Sequence, residues 1–188
     1  SKKDYLRDCA SNLSILKCAS ALLEGVCCHF FTGEEPLKRA NELLKTISTA
    51  ISGEIIIQTD EQINLYGNLL TALCAHKKCT KQANADSLID ECVTPLLPAL
   101  FNKAKELAKN PCTTPCKSLS ALNAVADYYA LTRDNDASIT FNEIITNLQA
   151  LNLTTSEDNC YDYLCFISGA LKMAQLTDNY AVYELIAR

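Results

Sequence analysis

The sequence contains no tryptophan, two histidines and five glycines, each isolated from the others. Isolated glycines cannot build a phosphate-cradling loop, which needs several close together so that backbone amides can approach an anion. Two histidines leave little material for acid–base chemistry near neutral pH, where imidazole is the side chain that titrates unaided. Long hydrophobic runs are absent as well. The apolar patches, such as residues 55–57, are a few residues long, far short of the roughly 18 a membrane helix needs. No leader pattern is expected at the start, since Ser1-Lys2-Lys3-Asp4 passes directly into an amphipathic pattern. If secreted, the protein is expected here in its processed form.

Concentrated positive charge is missing too. The net charge is −5, from 22 acidic and 17 basic residues, and the signs read as mixed along the chain. The densest basic cluster, Lys77, Lys78 and Lys81, has no interleaved arginine or aromatic residue. It reads as a solvated helix end, and nucleic acid is not an expected partner. Paired carboxylates occur at Glu34-Glu35, Asp60-Glu61 and Asp90-Glu91. They fall where helix starts are expected, and acids there answer the positive end of the helix dipole.

What the chain has in excess is cysteine. There are 11 in 188 residues: Cys9, Cys18, Cys27, Cys28, Cys74, Cys79, Cys92, Cys112, Cys116, Cys160 and Cys165. In a reducing cytosol so many thiols would need a metal or a redox role; in an oxidising compartment they need only each other. Zinc knuckles favour Cys-x2-Cys, and here the short spacings are adjacent (Cys27-Cys28), Cys-x3-Cys (Cys112 and Cys116) and Cys-x4-Cys (Cys74 and Cys79, Cys160 and Cys165). His29 and His76 lie beside these cysteines, so a thiolate–imidazole metal site or a Cys–His nucleophile is the competing reading. Disulfide pairing is preferred: four or five intrachain bridges, no metal, no cofactor and no catalytic residue. The odd cysteine is expected to be buried as a small hydrophobe, with an intermolecular bridge as the alternative. Secretion is the expected localisation, and the sequons at Asn12 and Asn152 are candidate glycosylation sites compatible with it.

Apolar residues recur at helical spacing nearly throughout. Leu37, Ala40, Leu43, Leu44, Ile47 and Ile51 form one stripe, and Ile63, Tyr66, Leu69, Leu70, Leu73 and Cys74 another. Leu96, Leu97, Leu100, Phe101, Ala104 and Leu107 form a third; Phe141, Ile144, Ile145, Leu148 and Leu151 a fourth. The last runs through Tyr163, Leu164, Phe166, Ile167, Ala170, Leu171 and Ala174. Capping-box patterns open at Thr32, Thr59 and Thr155. Helices are expected near 4–31, 35–51, 60–79, 86–109 with a break around Pro95 to Pro98, 116–132, 138–151, 156–176 and 179–187. Only residues 54–58 look strand-like. The chain is expected to be an all-α, disulfide-stabilised bundle of about eight helices in a single compact domain, 1–188.

An internal duplication is suggested by Ser20-Ala21-Leu22 against Ser120-Ala121-Leu122, and by Asn41-Glu42-Leu43-Leu44 against Asn142-Glu143-Ile144-Ile145. Two similar three-helix units near 18–79 and 116–176 would be joined by a helical segment, 86–109. The competing reading is that any two amphipathic helices resemble one another once slid into phase. The cysteines do not repeat with the pattern.

Tyrosine is densest near the C-terminus, at Tyr161, Tyr163, Tyr180 and Tyr183. Such rings suit an interface and suit a helix-packing seam equally. Around two of them, Cys160-Tyr161-Asp162-Tyr163-Leu164-Cys165 resembles the cysteine–tyrosine–cysteine motif of the bicycle proteins, secreted salivary effectors of aphids named for carrying two such motifs. The resemblance implies delivery into a host and interference there without an enzymatic site. It covers that one stretch; Tyr66, the repeat partner of Tyr163, has no flanking cysteines. The expected function is therefore binding of a host or extracellular protein, and the alternative is an extracellular carrier of a small apolar ligand held between helices.

Overall fold

The computed structural model describes residues 34–51, 55–79, 83–109, 116–149 and 160–187. These residues form seven helices: α1 (Glu34–Ile51), α2 (Asp60–Cys79), α3 (Ala83–Lys109), α4 (Cys116–Thr132), α5 (Asn135–Gln149), α6 (Cys160–Thr177) and α7 (Ala181–Ala187). Among the described residues there is no strand, and residues 55–58 are irregular. The chain is all-α, as the periodicity predicts. The helix expected near 4–31 and the capping boxes at Thr32 and Thr155 lie outside the described residues.

Local chemistry sets several helix ends. At the start of α2 the Gln62 amide donates to Thr59 Oγ1 (3.3 Å) while the Thr59 amide donates to Gln62 Oε1 (3.1 Å). That is the reciprocal capping box read from the sequence. Between α4 and α5 only Arg133 and Asp134 leave the helical path. Arg133 closes α4 in the left-handed region (φ 57°), its amide donating to the Tyr129 carbonyl. Asp134 then caps α5, accepting from the amides of Asp136 (2.7 Å) and Ala137 (3.2 Å). The α6–α7 junction repeats the device: Asp178 is left-handed (φ 53°), and the Asn179 amide reaches back to the Ala174 carbonyl. Asn179 Oδ1 in turn accepts from the Ala181 amide and starts α7.

The expected break in the third helix does not occur. Helix α3 runs without interruption through Pro95 and Pro98, where a break was predicted. Each proline removes one amide from the ladder, at a cost of about 3 kcal/mol in a helix interior. Leu96 and Leu100, both fully buried, anchor the helix on either side of Pro98. Burial of this face overrides the local preference. Because α3 begins earlier than expected, Asp90-Glu91 lies within the helix and not at its start, and Asp90 is paired with Lys77 of α2 (3.2 Å).

The contacts group the chain into two compact units: the described residues of Ser1–Ile56 with Asn68–Leu97, and Ile57–Gly67 with Pro98–Arg188. In the first unit the buried residues include Ala40, Leu44, Ile47 and Ile51 of α1, Leu69, Leu70, Leu73 and Cys74 of α2, and Ile89, Cys92, Val93 and Leu96 of α3. In the second unit α4 is the central helix. It packs along α6 and against α5, while α7 folds back on α6 through the fully buried Val182. Ala121, Leu122, Ala124, Val125 and Ala126 of α4 and Ala170, Met173 and Ala174 of α6 are buried. Small side chains let these two helices approach closely. A Cβ on Gly169 would lie 2.7 Å from Asn123 Cα and N, so only glycine fits there. Leu164, expected on the buried face of α6, is exposed instead. It stands five residues before Gly169, well off the stripe that faces α4.

Candidate functional site

The tyrosines are the candidate interface, and the structure shows two of their rings. Tyr161 and Tyr163 lie in the first turn of α6, and their side chains are outside the described residues. Tyr180 and Tyr183 lie at the opposite end of that helix, on the turn into α7 and on α7 itself. Tyr180 is 77% exposed and Tyr183 39%, with ring centroids 6.2 Å apart at 43°.

Packing holds this pair on the surface. Val182, between the two tyrosines, is fully buried, while Tyr180, two positions before it, and Tyr183, one position after it, turn outward. The Asn179 side chain is fixed twice. Its Oδ1 caps α7 and its Nδ2 donates to Asn142 Oδ1 of α5 (3.2 Å). One turn before Asn142, Ile139 leaves 45% of its surface in water. The tyrosine pair and the outer face of α5 are thereby tied together through Asn179.

The charge around this end is one-sided, and the sequence carries the signal. Between Arg133 and Arg188, the two bases that bound the stretch, there are eight carboxylates (Asp134, Asp136, Glu143, Glu157, Asp158, Asp162, Asp178 and Glu184) and one base, Lys172. The impression of mixed signs holds for the whole chain and fails for this stretch. Lys172 is occupied: its Nζ pairs with Asp127 Oδ1 of α4, a residue that is itself buried. Glu143 is answered by Lys105 of α3 (3.2 Å). Among the described residues Asp136, Asp178 and Glu184 are exposed and have no ion-pair partner.

The cysteine–histidine candidates lie elsewhere. His76 is fully buried in the first unit, with Nε2 3.3 Å from Asn41 Oδ1 of α1. Cys92 of α3 is buried in the same unit, and its thiol is pushed up to about 11. Burial is the main cause, the Ser48 hydroxyl donating to the sulfur works against it, and the Glu91 carboxylate adds a smaller upward push. A thiol held protonated in this way is a poor nucleophile. Among the described residues no disulfide is formed, and no group of three or more His, Cys, Asp or Glu side chains is gathered as a metal site would need. The described cysteine side chains are those of Cys74 and Cys92, both buried. The remaining sulfurs, His29 and the sequons at Asn12 and Asn152 lie outside the described residues. Nor is any described helix long and apolar enough to cross a membrane.

What the fold defines is an all-α protein with an exposed tyrosine pair set in acidic surroundings. No family model, curated protein or solved structure matches the chain.

Proposed function

We propose that this protein is a secreted, disulfide-rich, non-enzymatic binding protein, effector-like in its mode of action, that engages a host or extracellular partner. The observation that carries the reading is the Tyr180–Tyr183 pair, presented at the end of a packed unit and anchored by Val182 and Asn179. Large amphipathic rings already fixed in place lose little freedom on binding, so most of their contact energy is available to affinity. Two further observations support it: His76 is buried against Asn41, and the Cys92 thiol is held protonated. The cysteine surplus supports an oxidising compartment, and the resemblance around Cys160 and Cys165 supports an effector role. In this reading most of the sulfurs outside the described residues are bridged, and the segments near 18–79 and 116–176, joined by the helical segment 86–109, descend from one duplicated precursor.

The test is capture of partner protein from host or extracellular extract by the immobilised chain. Tyr180→Ala/Tyr183→Ala should weaken capture about tenfold, as loss of a central aromatic anchor does. His29→Ala and His76→Gln should leave it unchanged. Undiminished capture by the tyrosine variant, or loss in a histidine variant whose circular dichroism is normal, would overturn the proposal.

A further inference from the structure

Resting on the tyrosine-end reading, the chemistry of that surface specifies its partner more closely. We propose that the surface formed by the 178–184 segment and the outer face of α5 docks a cationic, amphipathic segment of a partner protein, rich in arginine or lysine alternating with aliphatic residues. Three observations converge. The first is apolar area: Tyr180, Tyr183 and Ile139 are exposed within one framework tied by the Asn179–Asn142 hydrogen bond.

The second is charge. Asp178 and Glu184 bracket the ring pair in sequence, and Asp136 stands one turn before Ile139 on α5. These three carboxylates have no ion-pair partner among the described residues, and the single base between positions 134 and 187 is held by Asp127. Such a surface repels phosphate backbones and anionic lipid headgroups and attracts protein cations.

The third is ring chemistry. The face of a tyrosine attracts a guanidinium or ammonium group, and this unit already contains the contact: Arg133 Cζ lies 5.4 Å from the centroid of the Tyr129 ring. A partner arginine over Tyr180 or Tyr183 would make the same contact while its charge is met by Asp178 or Glu184. Its neighbouring aliphatic residues would cover Ile139. The acids supply selection and encounter rate, and the rings and Ile139 supply residence time.

The experiment uses the full chain and a short fluorescent peptide of alternating arginine and leucine, with a glutamate–leucine peptide as its counterpart, read by anisotropy. The arginine peptide should bind and the glutamate peptide should not. Tyr180→Ala/Tyr183→Ala should weaken binding about tenfold. Asp178→Asn/Glu184→Gln should weaken it about threefold and flatten its salt dependence. Asp90→Asn/Glu91→Gln, two exposed acids of the other unit, serves as the control and should change nothing. Equal weakening by that control, comparable binding of the glutamate peptide, or no binding of the arginine peptide would overturn the proposal. If the tyrosine variant loses its extract partner while the arginine peptide ignores this surface, the cationic specificity falls and the interface stands. If neither measurement responds to the tyrosines, both fall.

Discussion

A cysteine at a helix contact has two fates, oxidation to a bridge or burial as a thiol, and the surroundings of Cys92 favour the second. Its neighbours on α1 and α3 include the Ser48 hydroxyl, which donates to the sulfur, and the Glu91 carboxylate; burial dominates both. These surroundings are those expected of the odd cysteine. The count of cysteines showed that one must stand apart, but not which one, because burial depends on what α1 places opposite α3. A consequence in pH follows. The thiol ionises at about 11 in the folded protein against 9.0 for an ordinary cysteine. The folded state therefore holds this proton more tightly than the unfolded chain does. The resulting stability is fully present below pH 9 and is lost as the pH rises towards 11. Its size is on the order of 2 kcal/mol. Urea unfolding of the wild type and of Cys92→Ala, below pH 9 and near pH 11, should show the wild type losing that much more than the variant. Parallel losses would mean that the thiol is solvated. His76 makes a related point: its place between cysteines suggested chemistry, while its ring is buried against Asn41.

At the scale of elements, helical periodicity was the most legible property, because one buried face per helix is written locally. The α2 stripe from Ile63 to Cys74 is buried at every predicted position, and the Thr59–Gln62 capping box forms as read. Predictions failed where a local rule met a distant partner. Pro95 and Pro98 should break a helix, yet Leu96 and Leu100 hold α3 together. The pairing of Asp127 with Lys172, 45 positions apart, and the contact of Gly169 with Asn123 depend on how α4 meets α6, which no single segment encodes. The two helical glycines make this testable. At Gly67 an added Cβ would sit 3.8 Å from Ala121 Cα and 3.9 Å from Ala124 Cβ, ordinary contact distances. Gly67→Ala should therefore be neutral or stabilising by up to about 1 kcal/mol through helix propensity. At Gly169 the same methyl would stand 2.7 Å from Asn123 Cα and N and 2.8 Å from Leu122 C, all backbone. No rotamer relieves that clash, so α4 and α6 must separate. Gly169→Ala should be destabilising by about 2 kcal/mol or more despite the gain in propensity. Thermal denaturation of both variants checks the contrast, and equal effects would show that the α4–α6 spacing is not fixed by glycine.

For the whole molecule, the candidate site was half legible. Tyr180 and Tyr183 stood out as part of a tyrosine cluster, but their exposure depends on Val182 being the residue that α7 buries. The acidic run from 134 to 187 was present in the sequence and is diluted when charge is summed over the whole chain. The cysteines raise the largest remaining question of stability. Units of this modest size have limited apolar surface to bury within each. Covalent links that restrict the unfolded chain then matter more, each contributing roughly 2–4 kcal/mol. The expectation is four or five intrachain bridges in protein from an oxidising compartment, with Cys92 reduced. Alkylation of the unfolded but unreduced protein, followed by mass spectrometry, should label Cys92 and no more than two other sulfurs. Labelling of Cys92 in the native state should be slower by orders of magnitude, since its thiol is both buried and protonated. Reduction before unfolding should lower the urea midpoint well beyond what any single core substitution does. If more than three sulfurs are labelled, or zinc is recovered in stoichiometric amount, the cysteines serve another purpose and the secreted reading falls with the bridges.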